Sequence, residues 1–176
     1  MSPKAYMAGP DVFLQNSGHI FNNMRTMCQK YGIKALIPED GDVFYSNPLD
    51  INEELSLQIF KKNVNLINQC DFVVANLEPF RGPSADAGTI WEVGYAFAQH
   101  KKIFAYTSNS NSYFSKIDNK KPFDKKEWVD SNGMIVENFN LFDNLMIVHA
   151  IDSVYEDLES LLSSKKLQDF LQINIF

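Results

Sequence analysis

The sequence predicts an α/β protein in which a parallel sheet is covered by helices on both faces, and three observations carry the prediction. Short apolar runs of strand length alternate with longer segments of helical period. One of the runs, Phe72-Val73-Val74-Ala75-Asn76-Leu77, is continuous rather than alternating, as a strand buried on both faces requires. Three of the loops that follow these runs are distinctive in Gly, Pro and acidic residues, and in open α/β sheets ligands bind beyond the carboxyl ends of the strands.

Taken in order, the first strand runs from Ala5 to Ala8 and is closed by Gly9-Pro10-Asp11, with a helix from Gly18 to Tyr31 after it. The second, Lys34 to Ile37, stops at Pro38 and opens into the acidic turn Glu39-Asp40-Gly41-Asp42. A helix from Asn52 to Gln69 follows, with Leu55, Ile59, Phe60, Val64 and Ile67 as its inward stripe. After the third strand the long loop Glu78 to Thr89 leads into a helix from Gly88 to Gln99. The fourth strand is Lys102 to Thr107, the fifth Leu145 to His149, and a helix from Ser153 to Ser163 follows. Each crossover is expected to be right-handed. Between Ser108 and Asn140 the rhythm is broken by Asn, Ser, Lys and Asp, which reads as an irregular excursion holding a lid or interface loop.

At 176 residues the chain reads as one domain over 1–176, large enough to bury roughly 70% of its unfolded surface without a disulfide or a structural metal. Cys28 and Cys70 form no CxxC and lie near no histidine pair, so no metal site is expected and both read as free thiols in a reducing cytoplasm. With 16 Lys+Arg against 22 Asp+Glu the net charge is −6, which argues against nucleic acid or a membrane surface as the main partner and leaves small ligands open. No apolar run of ~18 residues is present, and Met1-Ser2-Pro3-Lys4 leads into a strand without a signal-peptide stretch. A soluble, cytoplasmic protein is the expectation.

Glu92 stands out on the third helix. At 100° per residue, Ile90, Val93, Gly94 and Phe97 form the stripe facing the sheet, and Glu92 falls near the opposite side, flanked by Trp91, Tyr95 and Gln99. Two large aromatics on that face imply cover by a second subunit. On pattern alone, Glu92 either complements the helix macrodipole, for about 0.3–1 kcal/mol, or is a site carboxylate that the same dipole keeps ionised, as a nucleophile requires.

Four stretches then carry a resemblance: Ala5-Tyr6-Met7-Ala8-Gly9-Pro10, Leu36-Ile37-Pro38-Glu39-Asp40, Asp86-Ala87-Gly88-Thr89-Ile90-Trp91-Glu92-Val93-Gly94-Tyr95, and Asn144-Leu145-Met146. In them the chain resembles the nucleoside 2-deoxyribosyltransferase family, its protozoan-type members most closely. The resemblance spans residues 4 to about 150. It implies a flavodoxin-like, doubly wound sheet of five parallel strands and a homo-oligomer, at least a dimer, with active sites shared between subunits. It also implies exchange of the base between 2′-deoxynucleosides and free bases in nucleotide salvage, without a cofactor.

By that resemblance Glu92 attacks the anomeric carbon and forms a covalent deoxyribosyl-enzyme that a second base resolves with retention, the two-step logic of retaining glycosidases. Tyr6 would orient it; by composition alone Tyr6 is an ordinary strand aromatic. Gly9 falls among the substrate-binding positions. Asp86 matches the acidic residue at the sugar 5′-hydroxyl, where a carboxylate accepts a hydrogen bond but repels a phosphate; read locally it is a helix N-cap. Asn144 and Met146 match residues that reach a neighbouring subunit's site, the amide to the 5′-hydroxyl and the thioether against the sugar or base, and without the match they are a turn residue and a core residue.

One position departs from the family pattern. Where many members carry an aspartate on the second helix, this chain has Asn63, on the inward stripe, whose amide can hydrogen-bond a base but cannot protonate it. Base contacts and protonation then fall to Asp40, Asp42 or water. Asp71, just before the third strand, belongs to the amino edge of the sheet and reads as a turn or cap residue. Two other readings remain: an N-glycosidase that transfers the sugar to water, and a non-catalytic flavodoxin-like binding domain. The last lacks both an acceptor Asp at the end of the third strand and a Ser/Thr-rich phosphate loop after the first.

Overall fold

The computed structural model describes residues 2–39, 52–125 and 127–174. Five strands, β1 (Lys4–Ala8), β2 (Lys34–Leu36), β3 (Phe72–Asn76), β4 (Lys102–Tyr106) and β7 (Ser153–Tyr155), form one sheet in the order β2-β1-β3-β4-β7, every pair parallel. This is the flavodoxin-like order, with its topological switch point between β1 and β3.

Both faces of the sheet are buried, and strand alternation sorts the side chains between two cores. Ala5, Met7, Phe72, Val74 and Phe104 point to one face. There they meet Phe21, Met24 and Cys28 of α1 (Ser17–Lys30), the leucines of α6 (Leu158–Ser163), and Leu167 and Leu171 of α7 (Lys165–Asn174). Tyr6, Ala8, Val73, Ala75, Ile103 and Ala105 point to the other, against Ile67 of α2 (Glu53–Gln69), Val93 and Ala96 of α3 (Ala87–Ala98), and Ile147 of the short α5 (Leu145–Val148). Both cysteines are buried and unpaired. Among the described residues no helix is long and apolar enough to cross a membrane.

Two expectations are corrected here. The run Leu145 to His149 is not the fifth strand: Asn144 accepts a hydrogen bond from the Met146 amide at 2.9 Å and starts one helical turn, α5. The edge strand is β7, inside the span expected to be helical, and Asp157 then caps α6 through the Ser160 amide. The irregular stretch after β4 holds a single turn, α4 (Tyr113–Lys116), and a two-stranded antiparallel ribbon, β5 (Lys121–Pro122) with β6 (Trp128–Val129).

A candidate active site at the switch point of the sheet

The crevice between the carboxyl ends of β1 and β3 opens because the chain leaves these adjacent strands toward opposite faces. Tyr6, alternating with Met7, points toward the α2 and α3 side and is fully buried. Asp86 caps α3, its Oδ2 accepting from the Thr89 amide at 2.9 Å and the Thr89 hydroxyl at 3.2 Å. From that cap the helix buries Thr89, Val93 and Ala96.

Glu92 lies one turn from Thr89 and from Ala96, so it sits on the sheet side of α3 and not opposite it. Tyr6 Oη donates to Glu92 Oε1 at 2.6 Å across 86 residues of sequence. Phe97, expected in the inward stripe, is 56% exposed, and Gly94 is exposed as well. Trp91 does lie outward, stacked on Tyr95 and edge-on to Phe60 of α2.

Burial dominates the electrostatics of the pair. It pushes the Glu92 carboxyl up to about 7; the Tyr6 hydrogen bond opposes the rise, the Asp86 charge adds to it, and the Asn63 amide opposes it again. The Tyr6 phenol is raised far above its ordinary range, by burial first and then by Glu92, and stays a protonated donor. The macrodipole therefore does not set the state of Glu92; desolvation outweighs it.

The other expected positions divide. Asn63 of α2 lies beside Glu92, and its Oδ1 is buried without a hydrogen-bond partner among the described residues. Gly9 closes β1 where a Cβ would come within 2.7 Å of Asp11 Oδ2 and 2.9 Å of Asn76 Cβ, so only glycine fits. Asp40 and Asp42 lie outside the described residues. Asn144 is tied into its own chain, capping α5 and donating from Nδ2 to the Glu137 carboxylate at 3.3 Å. Met146 is 74% exposed, so it is no core residue. Arg81 packs its guanidinium over Phe13 and Phe80 in the loop after β3. Asp71 accepts from the Lys4 amide at 2.7 Å at the amino edge, the structural part read for it.

Sequence reasoning missed two buried groups near the carboxyl edge. Asp11, held by Asn76 Nδ2 at 3.0 Å, fixes the end of β1 to the end of β3. Asp143 binds the segment before α3 from 58 residues away. No local pattern marks such long-range partners; the only hint was an Asp amid apolar neighbours in Leu141-Phe142-Asp143. A cavity of about 930 Å³ lined by Lys4, Asp71, His100 and Lys102 lies at the opposite, amino edge of the sheet. It contains none of the residues that converge on Glu92.

Fold and crevice together define a class: a doubly wound α/β protein whose switch point holds a half-buried carboxylate restrained by a tyrosine. Residues 5–146 match the nucleoside 2-deoxyribosyltransferase family, and the chain belongs to it. Among solved structures, a 2-deoxyribosyltransferase from Leishmania mexicana is similar over 98% of this chain and 99% of its own, with a TM-score of 0.72 and 28% identity. One from Bacillus psychrosaccharolyticus shares the fold with a TM-score of 0.60 at 16% identity, over 94% of each chain. An uncharacterised protein of Schizosaccharomyces pombe is 28% identical over 161 residues, covering 82% of this chain and 74% of its own.

Proposed function

We propose that this protein exchanges the base of 2′-deoxynucleosides through a deoxyribosyl ester on Glu92, and the observation that carries the reading is the 2.6 Å bond from Tyr6 to Glu92. That bond occupies Oε1 and holds the carboxylate in one orientation, leaving Oε2 to attack. In the first half-reaction Oε2 bonds to C1′, the glycosidic C–N bond breaks, and its electron pair leaves with the base, which takes up a proton. In the second, a ring nitrogen of an incoming base attacks C1′, the ester C–O bond breaks, Glu92 regains its charge and the new nucleoside loses a proton. Two inversions give net retention.

Asp86 presents a carboxylate toward the 5′-hydroxyl and disfavours a 5′-phosphate by like charge. Asn63 offers Oδ1 to a donor on the base, and Asp40 or Asp42 serves the proton. Asn144 and Met146 complete the site of a second copy in a homo-oligomer, for which the exposure of Met146 is the support. The activity belongs to salvage of purines and pyrimidines in the cytoplasm; the reading assigns no cofactor, metal, nucleic acid or membrane.

The test is incubation of a 2′-deoxynucleoside with and without a different free base, followed by chromatography. A new nucleoside in the presence of the second base is expected, with the 5′-monophosphate and the ribonucleoside poorer donors. Sugar release at an unchanged rate with no new nucleoside would mean transfer to water instead. Equal or better use of the monophosphate would overturn the role given to Asp86.

A further inference from the structure

Asp143 is 2% exposed and lies where the segment leading into α3 meets the start of α5. Its Oδ1 accepts from the Ser84 hydroxyl at 2.5 Å and from the Asn144 amide at 2.7 Å, and its Oδ2 accepts from the Ala85 amide at 2.9 Å. Lys116, whose Nζ donates to the Phe142 carbonyl at 2.8 Å, supplies a nearby positive charge. A buried carboxylate with three donors and a cation is fully compensated, and removing it would leave those donors unmet.

What Asp143 joins is more informative than how it is satisfied. Ser84 and Ala85 lead directly into Asp86, the cap of α3, and Asn144 follows Asp143 directly. The carboxylate thus holds, through main-chain hydrogen bonds, Ala85 beside Asp86 and the backbone of Asn144 itself, and Asp86 and Asn144 are the residues whose side chains the resemblance places at the sugar 5′-hydroxyl. A helix cap needs only Asp86 itself, and α5 is started by Asn144 itself, so neither element requires the link.

We propose that Asp143 is a positioning residue for recognition of the 5′-hydroxyl, setting Asp86 for its own site and Asn144 for the site of a second copy. The inference rests on the functional reading above and adds a specificity determinant to it. One carboxylate then controls 5′ selection in two sites at once, while Glu92, six residues beyond Asp86 on α3, keeps its own anchor in the hydrogen bond from Tyr6.

The test compares a 2′-deoxynucleoside with the corresponding 2′,5′-dideoxynucleoside as donors to one acceptor base, in wild type, Asp143→Asn and Ser84→Ala. Asp143→Asn keeps the shape but turns an acceptor into a donor facing donors. It is expected to lower kcat/KM for the 5′-hydroxyl substrate about 30-fold, mainly through KM, and for the dideoxy substrate less than about threefold, so that the preference collapses. Ser84→Ala removes one of the three hydrogen bonds and should shift the same ratio about fivefold, which keeps the test available if Asp143→Asn folds poorly. Equal losses on both substrates, or an unchanged preference in both variants, would overturn the proposal and leave Asp143 a structural residue only. A wild type that transfers from neither donor would instead overturn the functional reading on which the proposal stands.

Discussion

Glu92 combines two demands that oppose each other. A nucleophile must be ionised, yet partial burial of the carboxyl raises its pKa to about 7. On the acid side of that value the carboxyl is protonated, so kcat/KM is expected to fall as the pH drops below about 7, a limb that a pH–rate profile will show. Stability moves the other way. Between the ordinary carboxylate pKa and about 7 the native state keeps a proton that the unfolded chain has released, so this group's contribution declines as pH rises through that window. Glu92→Gln should therefore lower turnover roughly a thousandfold or more while raising stability at pH 8 by on the order of 2 kcal/mol. The gain should vanish toward pH 4. Thermal denaturation at both pH values checks it, and a variant less stable than wild type at pH 8 would mean that the carboxylate is well solvated. Tyr6 and Glu92 were both legible in the sequence as candidates. The resemblance paired them, but the apolar pattern by itself put Glu92 on the far face, because the helix is apolar nearly all round, with Ile90, Trp91, Val93, Tyr95 and Phe97 in eight residues.

At the scale of elements, the first four strands and the first three helices were readable because each long apolar or periodic run matched one element. The fifth strand was not. Leu145-Met146-Ile147-Val148 has the β-branched, apolar character of a strand, but a run of four apolar residues cannot distinguish a strand from a helical turn, and the Asn144 cap decides for the turn. The true edge strand, Ser153-Val154-Tyr155, is three residues long and half-buried, too short to leave a period. The face of α2 and α3 has a different consequence. Leu57, Phe60 at 50% and Trp91 at 45% exposure lie open on adjoining helices, and Phe60 and Trp91 already pack edge-on within the chain at 5.3 Å. Such an aromatic patch is the expected core of a contact between copies. Trp91→Glu should shift the species seen by light scattering toward monomer at micromolar concentration, whereas an unchanged mass would place the contact on another surface.

For the whole molecule, the parallel sheet brings β1, α2 and α3 to one crevice, while Asn144 caps the short α5 after the ribbon and Met146 on it is largely exposed. Under the proposed sharing of sites, Asn144 and Met146 serve a second copy. Chains carrying Glu92→Ala and chains carrying Asn144→Ala, each poorly active alone, should regain activity when co-expressed, because one mixed pair places both lesions in one site and neither in the other. Activity no better than that of the better single variant would confine each site to one chain. The central claim is that the sugar passes through Glu92, and mass spectrometry tests it most directly. Wild-type protein incubated with a 2′-deoxynucleoside alone and quenched in acid should carry one deoxyribosyl group on the peptide containing Glu92, which disappears on addition of a second base as the new nucleoside forms. An adduct that maps to another residue, or one that persists in Glu92→Gln, would contradict the account.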